Sequence, residues 1–390
     1  MNRPWLLWVM WLGLLTAASA VMHGYFWMRF VRDVRLPPRW IQRLGWALAG
    51  LTALVPMSFF LRRLLPEPLN RMAYLLLISW MGILFFLVCL RATGGLIWVG
   101  LRIKSWITRQ PVFDPARRQF LSRTLATGTL TIGAGGVLHG VYSAFEDPEL
   151  LEVPVKLDRL PAGAQGFTIV QLTDLHIAPW TPESFVRRVV ERVNALRPDL
   201  IVVTGDLVDG NPGEIGRTVA PLRNLTATHG VFFVTGNHEY YVDTQVWLEA
   251  IRKLGMTILN NSGFMVASAV YLAGIPDRAG LRQFATTPAN APDVRRALAA
   301  RPADAPAILL AHQPREVWDA AEAGIDLQLS GHTHGGQIWP FGALVMAAQP
   351  YLSGLHRHGH TQIYVSRGAG TWGPPLRIGA PAELTKIVLV

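Results

Sequence analysis

Seven side chains able to hold metal ions recur in short loop-like stretches of this chain: Asp174 and His176, Asp206, Asn237, His312, and His332 and His334. Carboxylates and imidazoles mixed with one amide suit divalent Mn, Fe or Zn rather than a metal that needs soft thiolates. The lone cysteine, Cys89, sits in an apolar run and excludes both a thiolate cluster and an internal disulfide. A single Asp-x-His is common and is most often a turn or a cap, so no one motif carries the assignment. Five in succession make coincidence a poor account, and a metal site follows.

The intervening residues supply elements to position these side chains. Runs 167–172, 200–204, 231–235, 270–275, 307–311, 325–329, 363–366 and 384–390 are apolar and β-branched and predict buried strands. Helical patterns fall at about 182–196, 215–225, 244–254, 291–299 and 314–323. Early βαβ units followed by closer strands predict a layered α/β domain, in which ligands gather at the carboxyl ends of strands. Each metal-ligating residue directly follows one of those runs. If the chain stays extended there, Asp174 and His176, like His332 and His334, face one way by alternation. Gly205, Gly236 and Gly331 leave the backbone free to turn sharply beside the ligands.

The series Asp174-Leu175-His176, Gly205-Asp206, Gly236-Asn237-His238-Glu239, His312 and Gly331-His332-Thr333-His334 resembles the calcineurin-like metallophosphoesterases in order, spacing and identity. Gly331 to Gln337 and Gly236 to Tyr240 look most like its bacterial membrane-associated or exported YkuE/YaeI-like branch. The resemblance covers about residues 165–390 and implies a four-layer α/β/β/α sandwich. It places Asp174, His176, Asp206 and His334 on one metal and Asp206, Asn237, His312 and His332 on the other, with Asp206 as bridge. It further implies a metal-bridging hydroxide as nucleophile. His238 adjoins a ligand and takes the place of the imidazole that assists the leaving oxygen. Glu239 is a candidate to orient that imidazole; an exposed carboxylate is the alternative.

The remaining residues are more apolar than a soluble protein allows. Of 390 residues 51% are hydrophobic, with a mean hydropathy of +0.27. Segments 4–28, 44–61, 72–90 and 120–145 predict membrane spans, the fourth being weaker and rich in Gly, Thr and Ala. Residues 1–150 carry 16 basic and 6 acidic side chains, and 151–390 carry 20 of each, so the whole net charge of +10 belongs to the apolar part. It therefore reads as loop charge that orients helices, with the loops holding Arg29 to Arg43 and Arg102 to Arg118 on the cytoplasmic side. Four spans then place the catalytic domain outside, at a bacterial inner membrane; three would leave it in the cytoplasm. Ala116 to Leu121 is similar to a twin-arginine export signal, or is the basic flank of a fourth helix. Residues 147–164, rich in charge and Pro, predict a linker and the first edge of the new domain.

Weaker features remain. His356, His358 and His360 alternate along a loop or strand edge, read as a solvated border with a ligand role as the alternative. Trp180, Trp339, Pro340 and Phe341 follow ligands and either cap the core or form an apolar lip. Arg367, in a glycine-rich stretch, is a candidate phosphate contact or a plain surface turn.

The expected function is hydrolysis of phosphomonoester, phosphodiester or pyrophosphate bonds, with lipid-linked or envelope substrates suggested by the anchor. A nuclease of the same family is disfavoured by the balanced charge of 151–390. A non-catalytic metal-binding sensor module is disfavoured by the intact ligand series.

Overall fold

The computed structural model describes residues 4–61, 66–109, 115–283 and 291–390. Arg62 and Arg63, which the sequence places in the loop after the second apolar segment, lie outside them. The chain divides into two compact units, Met1–Val141 and Tyr142–Val390.

The first unit is helical. Helices α1 (Pro4–Phe26), α2 (Pro38–Leu61), α3 (Glu67–Thr108) and α4 (Pro115–Phe145) contain the four expected apolar segments, and a π-helical turn, Trp27–Arg32, extends α1. The segment expected at 72–90 belongs to a much longer helix, because Arg91, Arg102 and Lys104 interrupt the apolar composition without interrupting helical propensity. Among the described residues, one helical stretch, Leu69–Leu96, is long and apolar enough to cross a membrane. Large apolar side chains in this unit point outward: Leu14, Trp46, Leu76, Leu96 and Ile132 are all exposed.

The second unit holds two six-stranded mixed sheets. In the first, the order is β1 (Glu149–Val155), β12 (Glu383–Leu389), β2 (Thr168–Leu172), β3 (Leu200–Val203), β4 (Val231–Phe233) and β5 (Thr257–Ile258). In the second it is β10 (Gly354–His358), β11 (Thr361–Val365), β9 (Leu327–Ser330), β8 (Ala307–Leu310), β7 (Val270–Gly274) and β6 (Ser262–Val266). The runs β2–β5 and β11–β9–β8–β7 are parallel. All eight strands predicted from composition are interior, and the four left out, β1, β5, β6 and β10, are the edges.

Strand alternation explains the packing. Ile169, Leu200 and Val202 of the first sheet share a buried cluster with Leu272, Ile308, Leu310 and Leu329 of the second. The alternate residues Val170, Leu172, Ile201 and Val203 turn the other way, onto Phe185, Val189 and Val193 of α5 (Glu183–Ala195), Ile215 of α6 (Pro212–Val219) and Trp247 of α7 (Thr244–Lys253). Ala273, Ala307 and Leu309 likewise meet Ala297 of α9 (Val294–Ala297) and Ala320 of α10 (Val317–Glu322). Burying a Val or Leu side chain contributes about 1.5–3 kcal/mol, so these faces fix the strand register and hence the loops beyond it. Helix α6 starts earlier than the apolar pattern indicates, because Asn211 and Glu214 form a reciprocal cap around Pro212. The 291–299 pattern shortens to α9, which begins where Asp293 caps the Arg296 amide.

Candidate metal centre

Loops after β2, β3, β4, β8 and β9 carry the expected ligands, and the structure brings them together. The extended backbone expected for the Asp-x-His pairs is not how they are held. Asp174, His176, Asp206, His332 and His334 have φ of 53, 43, 51, 71 and 52°, the left-handed region. Such backbone costs a non-glycine residue about 1–2 kcal/mol, and cross-loop hydrogen bonds sustain it here. Asp174 N donates to Gly205 O at 3.1 Å, His176 N to Asp206 O at 3.1 Å and Gly331 N to His312 O at 3.0 Å. Left-handed residues turn the chain tightly enough to bring side chains of successive loops nose to nose. At Gly331 the requirement is room rather than a turn, since a Cβ there would lie 2.1 Å from Asp174 Oδ2.

Three overlapping groups converge: Asp174, His176 and His334; His176, Asp206 and His238; and Asp206, His312 and His332. His176 Nε2 lies 3.0 Å from His334 Nε2 and 3.8 Å from Asp174 Oδ1. Asp206 Oδ2 lies 3.6 Å from His176 Nε2 and 3.2 Å from His312 Nε2. His332 Nδ1 is 3.2 Å from His312 Nε2. Ligands bound at about 2.1 Å to one ion stand roughly 3–3.4 Å apart; the spacings of 3.0 and 3.2 Å fall in that range and those of 3.6 and 3.8 Å are wider. His176 donates its Nδ1–H to Asp209 and His312 its Nδ1–H to Thr204 O, at 3.0 and 2.7 Å, which leaves each Nε2 bare toward the centre. Asn237 is buried and its Oδ1 has no hydrogen-bond partner among the described residues. An acceptor left bare costs about 1–3 kcal/mol, a cost that a bound cation removes. The donor set thus fits divalent cations.

Charge within the cluster is unevenly shared. Burial opposes ionisation of Asp206, yet His312, His238 and His176 hold its carboxyl well below the usual range. Burial raises Asp174, and neighbouring Asp206 adds to the rise against the pull of His312. Burial and then the His312 charge push His332 down to about 3. Burial and the nearby His176 and Arg377 hold His334 well below its ordinary value. His238 moves the other way: against its burial, Asp206 and Asp209 raise it to about 9.

His238 is the least enclosed of these imidazoles, with 14% of its side chain exposed. Its Nδ1–H donates to Asp209 Oδ1 at 2.5 Å, and its backbone N–H donates to Asp206 Oδ1 at 2.8 Å. Asp209, not Glu239, is therefore the partner of this imidazole. Asp209 is absent from the expected set, though the signal was in the sequence, since it lies three residues beyond Asp206 and just before Gly210. Bonds between Asp209 N and Ile177 O and between Ile177 N and Leu207 O fix its place. Glu239 is fully buried, not exposed, and accepts from the amides of Asp206, Leu207 and Gly236 at 3.0, 2.7 and 2.6 Å. Burial, then the Asp206 charge, raises it to about 7.

Arg377 is a second residue absent from the expected set, and nothing in the spacing of Leu376-Arg377-Ile378 flags it. Its guanidinium is buried and donates to the carbonyls of Arg367, Gly368, Gly370 and Ala380, while Nη2 reaches His334 Nδ1 at 3.3 Å. Burial lowers it to about 10. Arg367 is not free for a phosphate: Nε donates to Glu383 at 2.7 Å and Nη2 to Glu149 at 2.9 Å. His356 and His358 lie on edge strand β10, bonded to Ser353 O and Tyr351 Oη. Among the described residues, no metal-competent group contains them or His360. Trp339 is 44% exposed.

Residues 167–336 match the family model described as calcineurin-like phosphoesterase. An uncharacterized metallophosphoesterase of Helicobacter pylori is 42% identical over 281 residues, 71% of this chain and 74% of that protein. The transmembrane protein with metallophosphoesterase domain of Danio rerio is 33% identical over 388 residues, 94% of this chain and 85% of that one. The uncharacterized metallophosphoesterase YkuE of Bacillus subtilis is 33% identical over 293 residues, 70% of this chain and 97% of its own. With the convergent Asp and His loops, these similarities mean that the chain belongs to the calcineurin-like metallophosphoesterases and is a hydrolase of phosphoric esters.

Proposed function

We propose that this protein is a membrane-anchored, dinuclear phosphoesterase that cuts phosphomonoester, phosphodiester or pyrophosphate bonds of lipid-linked or envelope substrates. Residues 1–146 form the multi-pass anchor, 147–164 the linker and first edge, and 165–390 a catalytic domain in four layers, α/β/β/α. Asp174, His176, Asp206 and His334 hold one divalent ion and Asp206, Asn237, His312 and His332 the other. One observation carries the reading: the Oδ2 of Asp206 faces both His176, at 3.6 Å, and His312, at 3.2 Å, so a single carboxylate belongs to two ligand groups.

Two such ions, Mn, Fe or Zn, would supply positive charge against the phosphoryl oxygens and would activate water for attack near neutral pH. The side chains do the rest. Asp209 accepts from His238 Nδ1 and so orients the ring, leaving Nε2 to deliver a proton to the leaving oxygen. Glu239 binds the amides on both sides of the bridge and holds the β3 and β4 loops in register. Half-exposed Trp339 forms part of an apolar lip suited to a lipid-bearing substrate. The basic loops of the anchor support an orientation with the catalytic domain outside the cytoplasmic membrane. Full-length protein in Mn-containing buffer should hydrolyse bis-p-nitrophenyl phosphate or its monoester; no turnover with any divalent metal would refute the reading.

A further inference from the structure

Arg91 lies inside the apolar stretch Leu69–Leu96 and is only 2% exposed. Its Nε and Nη1 are buried and have no hydrogen-bond partner among the described residues. Arginine is not neutralised by losing its proton in proteins, so a buried guanidinium with two of its nitrogens unpaired is a costly arrangement for a helix to carry.

Among the described residues, the groups near it leave no anion uncommitted. Its titratable neighbours are Tyr25, Arg29 and Asp33. Asp33, the one carboxylate among them, is already engaged: Oδ2 accepts from Arg29 at 2.9 Å and Oδ1 from Arg32 at 3.3 Å. Arg29 and Arg32 thus occupy the one carboxylate that acts on Arg91, and the three guanidinium groups exceed it by two positive charges. Gly95 lies one turn beyond Arg91 on the same face of α3, and a Cβ there would stand 3.9 Å from Tyr25 Oη. Next to the guanidinium, that face therefore offers a hydroxyl and a position without a side chain. Arg29 and Arg32 sit on the π-helical turn Trp27–Arg32, a distortion often found where a helix binds something.

Depth selects the ligand. Arg91 is five residues from the end of the apolar stretch, about 7.5 Å at 1.5 Å per residue. Beyond that end come Arg102 and Lys104, so Arg91 lies at the basic end of the helix, within reach of headgroup phosphates. A guanidinium fork pairs with two phosphate oxygens at once, and basic recesses between helices on this side of a membrane suit anionic headgroups. We propose that Arg91, assisted by Tyr25 and Arg29, binds the phosphate of an anionic membrane lipid. The inference rests on the helical unit spanning the membrane, and it is independent of the phosphoesterase chemistry.

The test uses full-length protein in nanodiscs of phosphatidylcholine containing a minority of phosphatidylglycerol, with bound lipid read by native mass spectrometry. The native protein should retain phosphatidylglycerol, Arg91→Met should lose about tenfold or more of that retention, and Arg91→Lys should fall between them. Exposed Arg102 serves as control, and Arg102→Gln should retain lipid as the native protein does. Equal retention by the native and Arg91→Met proteins, or none by either, overturns the proposal. Saturable binding of inorganic phosphate without lipid retention overturns the lipid source. Release of the protein from membranes by alkaline carbonate would instead remove the spanning premise, a failure visible separately from hydrolytic activity.

Discussion

The carboxylate of Asp209 joins two histidines of different duty, accepting from His238 Nδ1 at 2.5 Å and from His176 Nδ1 at 3.0 Å. One side chain therefore orients both the imidazole proposed as proton donor and an imidazole of the proposed metal centre. Asp209→Asn should lower kcat roughly 10- to 100-fold, within the range assigned to positioned proton transfer. Because Asp209 also holds the His176 ring, metal affinity should weaken as well, and kcat should stay low when metal is restored to saturation. Full activity in Asp209→Asn would contradict the assigned pairing.

Glu239 tests the scaffold rather than the chemistry. Its two oxygens accept from three amides that flank Asp206 and Asn237, and bonds to a charged group are worth about 1.5–3 kcal/mol each. Glu239→Ala should lower the melting temperature of the full-length protein clearly and lower metal retention with it. An unchanged melting temperature would remove the role given to this buried carboxylate.

Gly331 tests the closeness of the loops. A methyl group at this position would meet Asp174 Oδ2 at 2.1 Å, so Gly331→Ala must displace either the carboxylate or the β9 loop. Metal content should fall while far-ultraviolet circular dichroism stays native. Native metal content in Gly331→Ala would show that the loops have slack there.

Arg377 tests support of a ligand from behind. Its Nη2 stands 3.3 Å from His334 Nδ1, and its other bonds gather the carbonyls of the 367–370 turn. Loss of such support typically weakens metal binding 10- to 100-fold. Arg377→Lys should therefore need more metal for half-maximal activity and should recover at high metal concentration. An unshifted metal titration would contradict this.

The interior of the fold was legible because buried strands are written as unbroken apolar runs, as in Leu200–Val203 and Ala307–Leu310. The edges were not. Strand β1 carries Glu149, Glu152 and Pro154 and reads as a linker with the first edge of the domain, not as a strand, yet these are the residues an exposed edge strand tolerates. Spacing and residue type singled out the side chains that the structure gathers at one centre. Their backbone conformation was not readable, because left-handed turns at Asp174 and His334 depend on bonds from distant loops. Asp209 was within reach of sequence reasoning as a second carboxylate beyond Asp206. Arg377 was not, since its partners come from a turn whose path only the fold determines. Arg367 and Glu239 were misread for the same reason: their partners, Glu149 and Glu383 for one and three amides for the other, converge only in three dimensions.

The account turns on Asp206 serving two ligand groups. Metal content per chain, measured beside bis-p-nitrophenyl phosphate hydrolysis for native protein and Asp206→Asn, tests this most directly. The native chain should hold two divalent ions and turn over substrate, and Asp206→Asn should fall below one ion per chain and lose activity with it. Two ions and a native rate in Asp206→Asn would contradict the shared-carboxylate centre.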